Sequence, residues 1–301
     1  MTAAPSELSP FDHRMAVFGA DDAFVAAALP FLAEGLGAPG EPPPVAIAAL
    51  EKLDLLRDAL GADAKDVAFI AHTDWYTGSA ANAVAQGAGY LAQSAGPGGR
   101  IHLLMEPVWD GRAGRSARET AEWIRYEALA NLLFAPMATT ALCAYDTRTA
   151  GESVVDAARR AHPDSGVYED PVRLAAELDA VPLSPSSPDA EQLGEPYADA
   201  VRAQAMDRGL TRVDAELFAE SVIAATASLG RVTSARLWGE APSCVCELRT
   251  ANRVANPLAG FVPPPAAELE PEQGLWFARQ VCAYVDIRDD DHGATVRLQY
   301  G

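Results

Sequence analysis

Positive charge is what this chain has least of. Its 301 residues hold 23 Lys and Arg against 42 Asp and Glu, a formal net charge of −19 at pH 7. That argues against a nucleic-acid partner, because phosphate contacts draw most of their affinity from Lys and Arg. An acidic surface suits solubility and a basic protein partner, and a general acidic bias accounts for it equally well. Cysteine is scarce too. Cys143, Cys244, Cys246 and Cys282 sit inside apolar stretches without CxxC spacing. They read as small buried hydrophobes in a reducing cytoplasm, not as a redox or metal framework. No run approaches the ~20 apolar residues that span a bilayer, so no membrane partner is expected. The opening Met-Thr-Ala-Ala-Pro-Ser-Glu lacks the basic and then apolar pattern of a secretory signal. Missing as well are GxxxxGK followed by Ser or Thr, GxGxxG after a strand, and the GxSxG of a serine hydrolase.

What is present suits two domains, with a hydrophobic fraction of 49% that can build real cores. Apolar runs at 13–19, 45–50, 67–71, 101–105 and 140–144 predict strands. Phe24, Ala27, Leu29, Leu32 and Leu36 mark a helix capped by Asp21 or Asp22, and Leu53, Leu55, Leu56 and Leu60 mark a second. Further helices are expected over 77–95 and 116–135, with a turn at Gly96–Arg100. This alternation predicts an α/β fold with a mostly parallel sheet covered on both faces. Ligands gather beyond the carboxyl ends of such strands. The residues that follow them are His72, Asp74, Trp75 and Tyr76, then Glu106 and Trp109, then Tyr145 and Asp146, which makes a small-molecule pocket there one reading and ordinary turn chemistry the other. His72 has no partner ligands at recognisable spacing, so no metal centre is expected.

Residues 164–192, rich in Pro, Ser and Asp around Pro182–Pro188, read as a connector with a short helical patch at Leu174, Ala175 and Leu178. Beyond it, helices are expected at 196–208 and 212–228, separated by Gly209, and strands at 231–239, 243–250 and 283–299. After the strand carrying Cys244, Cys246 and Leu248 comes a polar turn with Asn252 and Asn256, then a loop with Pro257 and Pro263–Pro265. Gly274 opens an amphipathic helix with Leu275, Phe277, Ala278, Val281 and Cys282. A strand, a proline-rich loop and a glycine at a helix start together suit an anion site.

Several of these segments are similar to known families. Glu106-Pro-Val-Trp-Asp-Gly-Arg112, Glu122-Trp-Ile-Arg-Tyr-Glu-Ala-Leu-Ala-Asn131, Cys143-Ala-Tyr-Asp146 and Ala158-Arg-Arg-Ala-His-Pro163 resemble the MEDS sensory domain over residues 10–163. The resemblance implies a RecA-like α/β architecture, of the kind joined to an ATP-binding domain in actinobacterial regulators. Glu127 and Asn131, spaced i and i+4, share one helix face. The resemblance implies that this face meets the strand ends, so Tyr126, Glu127 and Asn131 join the candidate pocket. The C-terminal half, 193–301, resembles the GHKL ATP-binding domain of anti-sigma-factor serine kinases, an α/β two-layer sandwich, in its Gly274-Leu275-Trp276. That family places Asp where Thr250 stands, Gly where Asn252 stands, and an Mg²⁺-binding Asn where Ala224 stands. Glu220 matches its catalytic base.

These departures imply a degenerate nucleotide site at Glu220, Ala224, Thr250, Asn252, Gly274 and Leu275. Losing one charged hydrogen bond costs roughly 1.5–3 kcal/mol, and Mg²⁺ demands oxygen ligands that Ala224 cannot offer. The expectation is a cytoplasmic regulator of anti-sigma type. Its N-terminal domain senses a ligand or partner, and its GHKL-like half binds a sigma factor or its antagonist without catalysis or cofactor. One alternative is an active ATP- and Mg²⁺-dependent serine kinase with Glu220 as base. Another is a ligand-binding, dimeric sensor without a sigma-pathway partner.

Overall fold

The computed structural model describes residues 11–76, 78–94, 100–107, 109, 117–256, 258–262 and 273–301. The expected turn at Gly96–Gly99 lies outside them, as do Val108 and Asp110–Arg112, Pro257, Pro263–Pro265 and Glu272. The chain divides into two compact units, 1–175 and 176–301.

In the first unit five strands lie parallel in the order β1-β5-β4-β2-β3. They are β1 (Phe11–Phe18), β2 (Val45–Ala48), β3 (Ala68–Ala71), β4 (Ile101–Met105) and β5 (Thr139–Asp146). Every residue of β2, β4 and β5 is buried, which is why these segments read as unbroken apolar runs. On one face Phe18, Ala46, Leu104, Leu142 and Ala144 meet α1 (Asp21–Leu36) and α2 (Leu50–Leu60) through Phe24, Phe31, Leu32, Leu53 and Leu56. The opposite side of the same strands presents Leu103, Met105, Ala141 and Cys143 to α4 (Ala80–Ser94) and α5 (Ala117–Leu133). The chain steps one way across the sheet through α1 and α2 and back through α4 and α5. Right-handed crossovers therefore place the two pairs on opposite faces. Neighbouring β2 and β4 lead to opposite faces, so the crevice at their carboxyl ends is a topological switch point.

Short helices complete this unit, α3 (His72–Trp75), α6 (Thr147–Ala150) and α7 (Glu152–Ala161), and α8 (Pro171–Asp179) runs across the division between the units. The buried stripe of α1 is Phe24, Ala28, Phe31, Leu32 and Gly35. Ala27, Leu29 and Leu36, expected on it, are only half-buried. Gly35 takes the centre because an added Cβ would come within 3.0 Å of both His102 and Pro44. Asp21 and Asp22 lie in the first turn, with Ala20 at the cap position. β1 is an edge strand, and the Met15 amide on it donates to the Asp164 carboxylate at 3.0 Å.

The second unit has an antiparallel sheet in the order β6-β7-β8-β10-β9. Its strands are β6 (Glu191–Gln192), β7 (Val232–Glu240), β8 (Ser243–Thr250), β9 (Tyr284–Asp290) and β10 (Gly293–Tyr300). The single strand expected over 283–299 is thus a hairpin. Asp290 accepts from the His292 amide in its turn, and a Cβ on Gly293 would sit 2.0 Å from the Thr250 carbonyl oxygen. Alternation assigns Ala235, Leu237, Cys246, Leu248, Val296 and Leu298 to the core under α9 (Tyr197–Asp207), α10 (Arg212–Leu229) and α11 (Gly274–Val281). On the other face Arg297 pairs with Glu247 at 2.6 Å and donates to the Ser184 carbonyl, while the Ser186 hydroxyl donates to Glu247. Val181–Ser186, read as connector, is therefore fastened along this sheet. Among the described residues no helix is long and apolar enough to cross a membrane.

Candidate functional site

Two neighbouring strands and one helix face converge on a buried polar cluster in the first unit. β1 and β5 are paired, and alternation turns His13 and Cys143 to the side covered by α5. The i, i+4 spacing on α5 aims Glu127 and Asn131 at those strands, and His162 follows the last turn of α7. His13, Glu127, Cys143 and His162 are each at most 4% exposed, and their ligand-type atoms all lie within 4.8 Å of one another.

The hydrogen bonds around the cluster orient it. Asn131 Nδ2 faces the carbonyl oxygens of Glu127, Ala128 and Ala161 at 3.2, 3.2 and 2.8 Å, so its amide oxygen must be the atom turned to His13. His13 Nδ1, 3.1 Å from that oxygen, then carries a proton and donates. In the neutral ring Nε2 is left as an acceptor, 3.3 Å from Cys143 Sγ. His162 Nδ1 donates to the Ala158 carbonyl at 2.8 Å, and its Nε2 has no hydrogen-bond partner although the residue is wholly buried. One carboxylate atom, Glu127 Oε2, stands 3.6 Å from His13 Nε2, 3.7 Å from Cys143 Sγ and 3.8 Å from His162 Nε2.

Electrostatics follow from burial. Burial opposes charge on the Glu127 carboxyl, but the imidazoles beside it hold it below the usual carboxylate range. Burial, assisted by the Glu127 charge, pushes the Cys143 thiol well above its ordinary value. Burial, with His13 alongside, lowers His162 to about 4. A cavity of about 20 Å³, room for one water-sized body, adjoins the cluster. His13, Glu127 and Cys143 wall it on one side, and Trp75, Met105 and Tyr126 line it elsewhere.

A second group lies at the β2/β4 switch point. Lys52 Nζ contacts the Glu106 carboxylate and bonds Asp146 at 2.8 Å, and Glu106 also accepts from the Ala49 amide. Arg148 clamps Asp146 from outside and reaches Asp21. Burial raises the Glu106 carboxyl despite Lys52. For Asp146 burial acts the same way, yet the bonds from Arg148 and Lys52 prevail and leave it well below the ordinary range.

The expected pocket residues thus separate. Trp75, Tyr126 and Glu127 line the cavity, and Asn131 orients His13. Tyr145 packs edge-on against His162 and stacks with Trp109. Glu106 and Asp146 belong to the lysine-centred group. His72 is half-buried and Asp74 exposed on α3, and neither is among the cavity's lining residues. Sequence reasoning missed His13, His162 and Lys52 and read Cys143 as a plain hydrophobe. The signal for His13 was a titratable ring within an apolar strand. His162 lay inside a quoted motif without being given a role.

In the second unit, Glu220 is exposed on α10, while five expected positions close on the last turns of that helix. The Thr250 hydroxyl and Asn252 Nδ2 donate to the Leu229 carbonyl at 3.2 and 3.0 Å. The Leu275 amide donates to Ser228 Oγ. A Cβ at Gly274 would lie 1.8 Å from the Ala224 carbonyl oxygen, so α11 begins in direct contact with α10.

The model of the MEDS family, the methanogen/methylotroph DcmR sensory domain, matches residues 12–163, a span that holds all four cluster residues. No curated protein and no solved structure matches the chain.

Proposed function

The chain belongs to the MEDS family, and from that premise we propose that it is a cytoplasmic regulator with a sensing unit and an effector unit. Sensing uses the α5 face of the parallel sheet, where the small cavity meets the buried cluster. The effector is a GHKL-like domain that binds a sigma factor or its antagonist without using nucleotide.

One observation carries the second half of this reading. Thr250, Asn252, Gly274 and Leu275, the positions that would surround a nucleotide, are bonded or packed against the end of α10 instead. A ligand would have to break these contacts, and Ala224 offers no side-chain oxygen to a metal ion. Glu220 alone keeps a free position on its helix face, and a base without a bound phosphoryl donor has nothing to transfer.

The test is thermal denaturation of the full chain with and without Mg-ATP. A ligand bound only by the native state raises stability by RT ln(1 + [L]/Kd), and no shift is expected at millimolar nucleotide. Retention of a purified sigma factor or its antagonist on the immobilised chain, unaffected by ATP, is the matching positive result. A nucleotide-dependent shift together with phosphorylation of a partner serine would replace this reading with that of an active kinase.

A further inference from the structure

We propose that His13, Glu127, Cys143 and His162 form a binding site for one divalent transition-metal ion of the zinc class. The inference stands on the geometry of the cluster and holds whichever partner the second unit takes.

The donor set comes first. Two imidazole nitrogens, a thiolate and a carboxylate are the ligand types that zinc and its neighbours take in four-coordinate sites. Two neutral and two anionic donors cancel a divalent charge, which lets the assembled site sit in an apolar interior. On coordination the Cys143 thiol gives up its proton to water, and the other three donors bind through existing lone pairs.

Distances come next. Metal–ligand bonds of about 2.0–2.3 Å place tetrahedral neighbours roughly 3.3–3.7 Å apart. Glu127 Oε2 lies 3.6, 3.7 and 3.8 Å from the three other donor atoms, and His13 Nε2 lies 3.3 Å from Cys143 Sγ. These are four of the six edges of a small tetrahedron, three of them meeting at a single oxygen, and the other two, from His162 Nε2 to His13 and Cys143, are no longer than 4.8 Å.

The surroundings supply an independent reason. Both histidines donate from Nδ1 to a fixed oxygen, Asn131 Oδ1 in one case and the Ala158 carbonyl in the other. That is how metal-bound histidines are held in the correct tautomer. Asn131 is itself locked by three carbonyls. Most directly, His162 Nε2 is buried without a hydrogen bond and stands 3.8 Å from Glu127 Oε2 in the cluster, a costly arrangement for a polar atom unless something binds it. The four donors come from β1, α5, β5 and the residue after α7, so the ion would tie four elements together.

The experiment uses the full chain, stripped with a chelator and titrated with cobalt(II), which reports on its own ligands. One cobalt per chain is expected, with thiolate-to-cobalt charge-transfer absorption and the strong visible bands of tetrahedral cobalt. Zinc should displace it and raise the melting temperature. Cys143→Ser should abolish the charge-transfer band, and Asn131→Ala should weaken binding about 10- to 100-fold while leaving the band's position unchanged. Circular dichroism verifies that each variant folds, and Asn131→Ala, which removes no ligand, keeps the test decisive if Cys143→Ser does not fold. Folded wild-type chain that shows no thiolate band in excess cobalt would overturn the proposal. So would a band that persists in folded Cys143→Ser, because another cysteine would then hold the ion. Either failure would leave the sigma-partner and nucleotide experiments unaffected.

Discussion

Among its described residues the first unit buries carboxylates in two places, and it treats them differently. At the β2/β4 switch point Glu106 and Asp146 have a permanent cation between them, Lys52, and Arg148 closes the outer side. Beneath α5, Glu127 faces two imidazoles and a thiol. The first group is complete as folded. The second ends in a ring nitrogen without a hydrogen bond, His162 Nε2. The difference separates a buried polar group that serves the fold from one that awaits a ligand: the former accounts for its own charge, and the latter does not.

The sharpest way to break this comparison is Lys52→Met. If Lys52 neutralises both acids, removing it strands buried carboxylates and costs about 3–5 kcal/mol, read as a lower urea midpoint at pH 7. A loss below about 1 kcal/mol would mean that this group, too, is incomplete. Next comes acid. In the metal-free chain His162 titrates near 4 in the folded state against 6.5 ordinarily. Between those values the unfolded chain holds a proton that the native one lacks. Its contribution is therefore fully present above pH 6.5 and fades as pH falls towards 4, by about 3 kcal/mol. Urea melts across that window check it, and His162→Gln should flatten the slope. A smaller effect is expected from Thr250→Ala, which loses a neutral hydrogen bond to the Leu229 carbonyl: about 1 kcal/mol, with the Mg-ATP response unchanged. The smallest belongs to Arg148→Ala. Its side chain is solvent-exposed and Asp146 keeps Lys52, so its urea midpoint should stay close to wild type and far above that of Lys52→Met.

Much of the first sheet was legible because its central strands are buried on both sides and so appear as plain apolar runs. The i, i+4 pair Glu127 and Asn131 was legible for a similar reason, since helix periodicity alone puts them on one face. Lys52 was not. In Leu50-Glu-Lys-Leu-Asp54 it resembles any solvated helix position, and only the way α2 starts over the strand ends turns it inward. His13 on β1 and His162 after α7 lie at opposite ends of the unit's sequence and meet, ring centroids 4.1 Å apart, only through the way the chain returns past β1, which no local pattern encodes. In the second unit Ala224, Thr250 and Asn252 were singled out only through a resemblance, which no comparison tests. That α11 packs directly onto α10 beside them needed coordinates, because contact between helices depends on how the chain returns.

The Asp164 carboxylate that accepts from Met15 bears on self-association. An unguarded outer strand invites a sister molecule to zip alongside it, amide by amide. Here that margin carries a built-in stopper, and a second molecule would have to evict an anion from its seat before pairing could begin. Any homodimer of this regulator should therefore be sought away from β1.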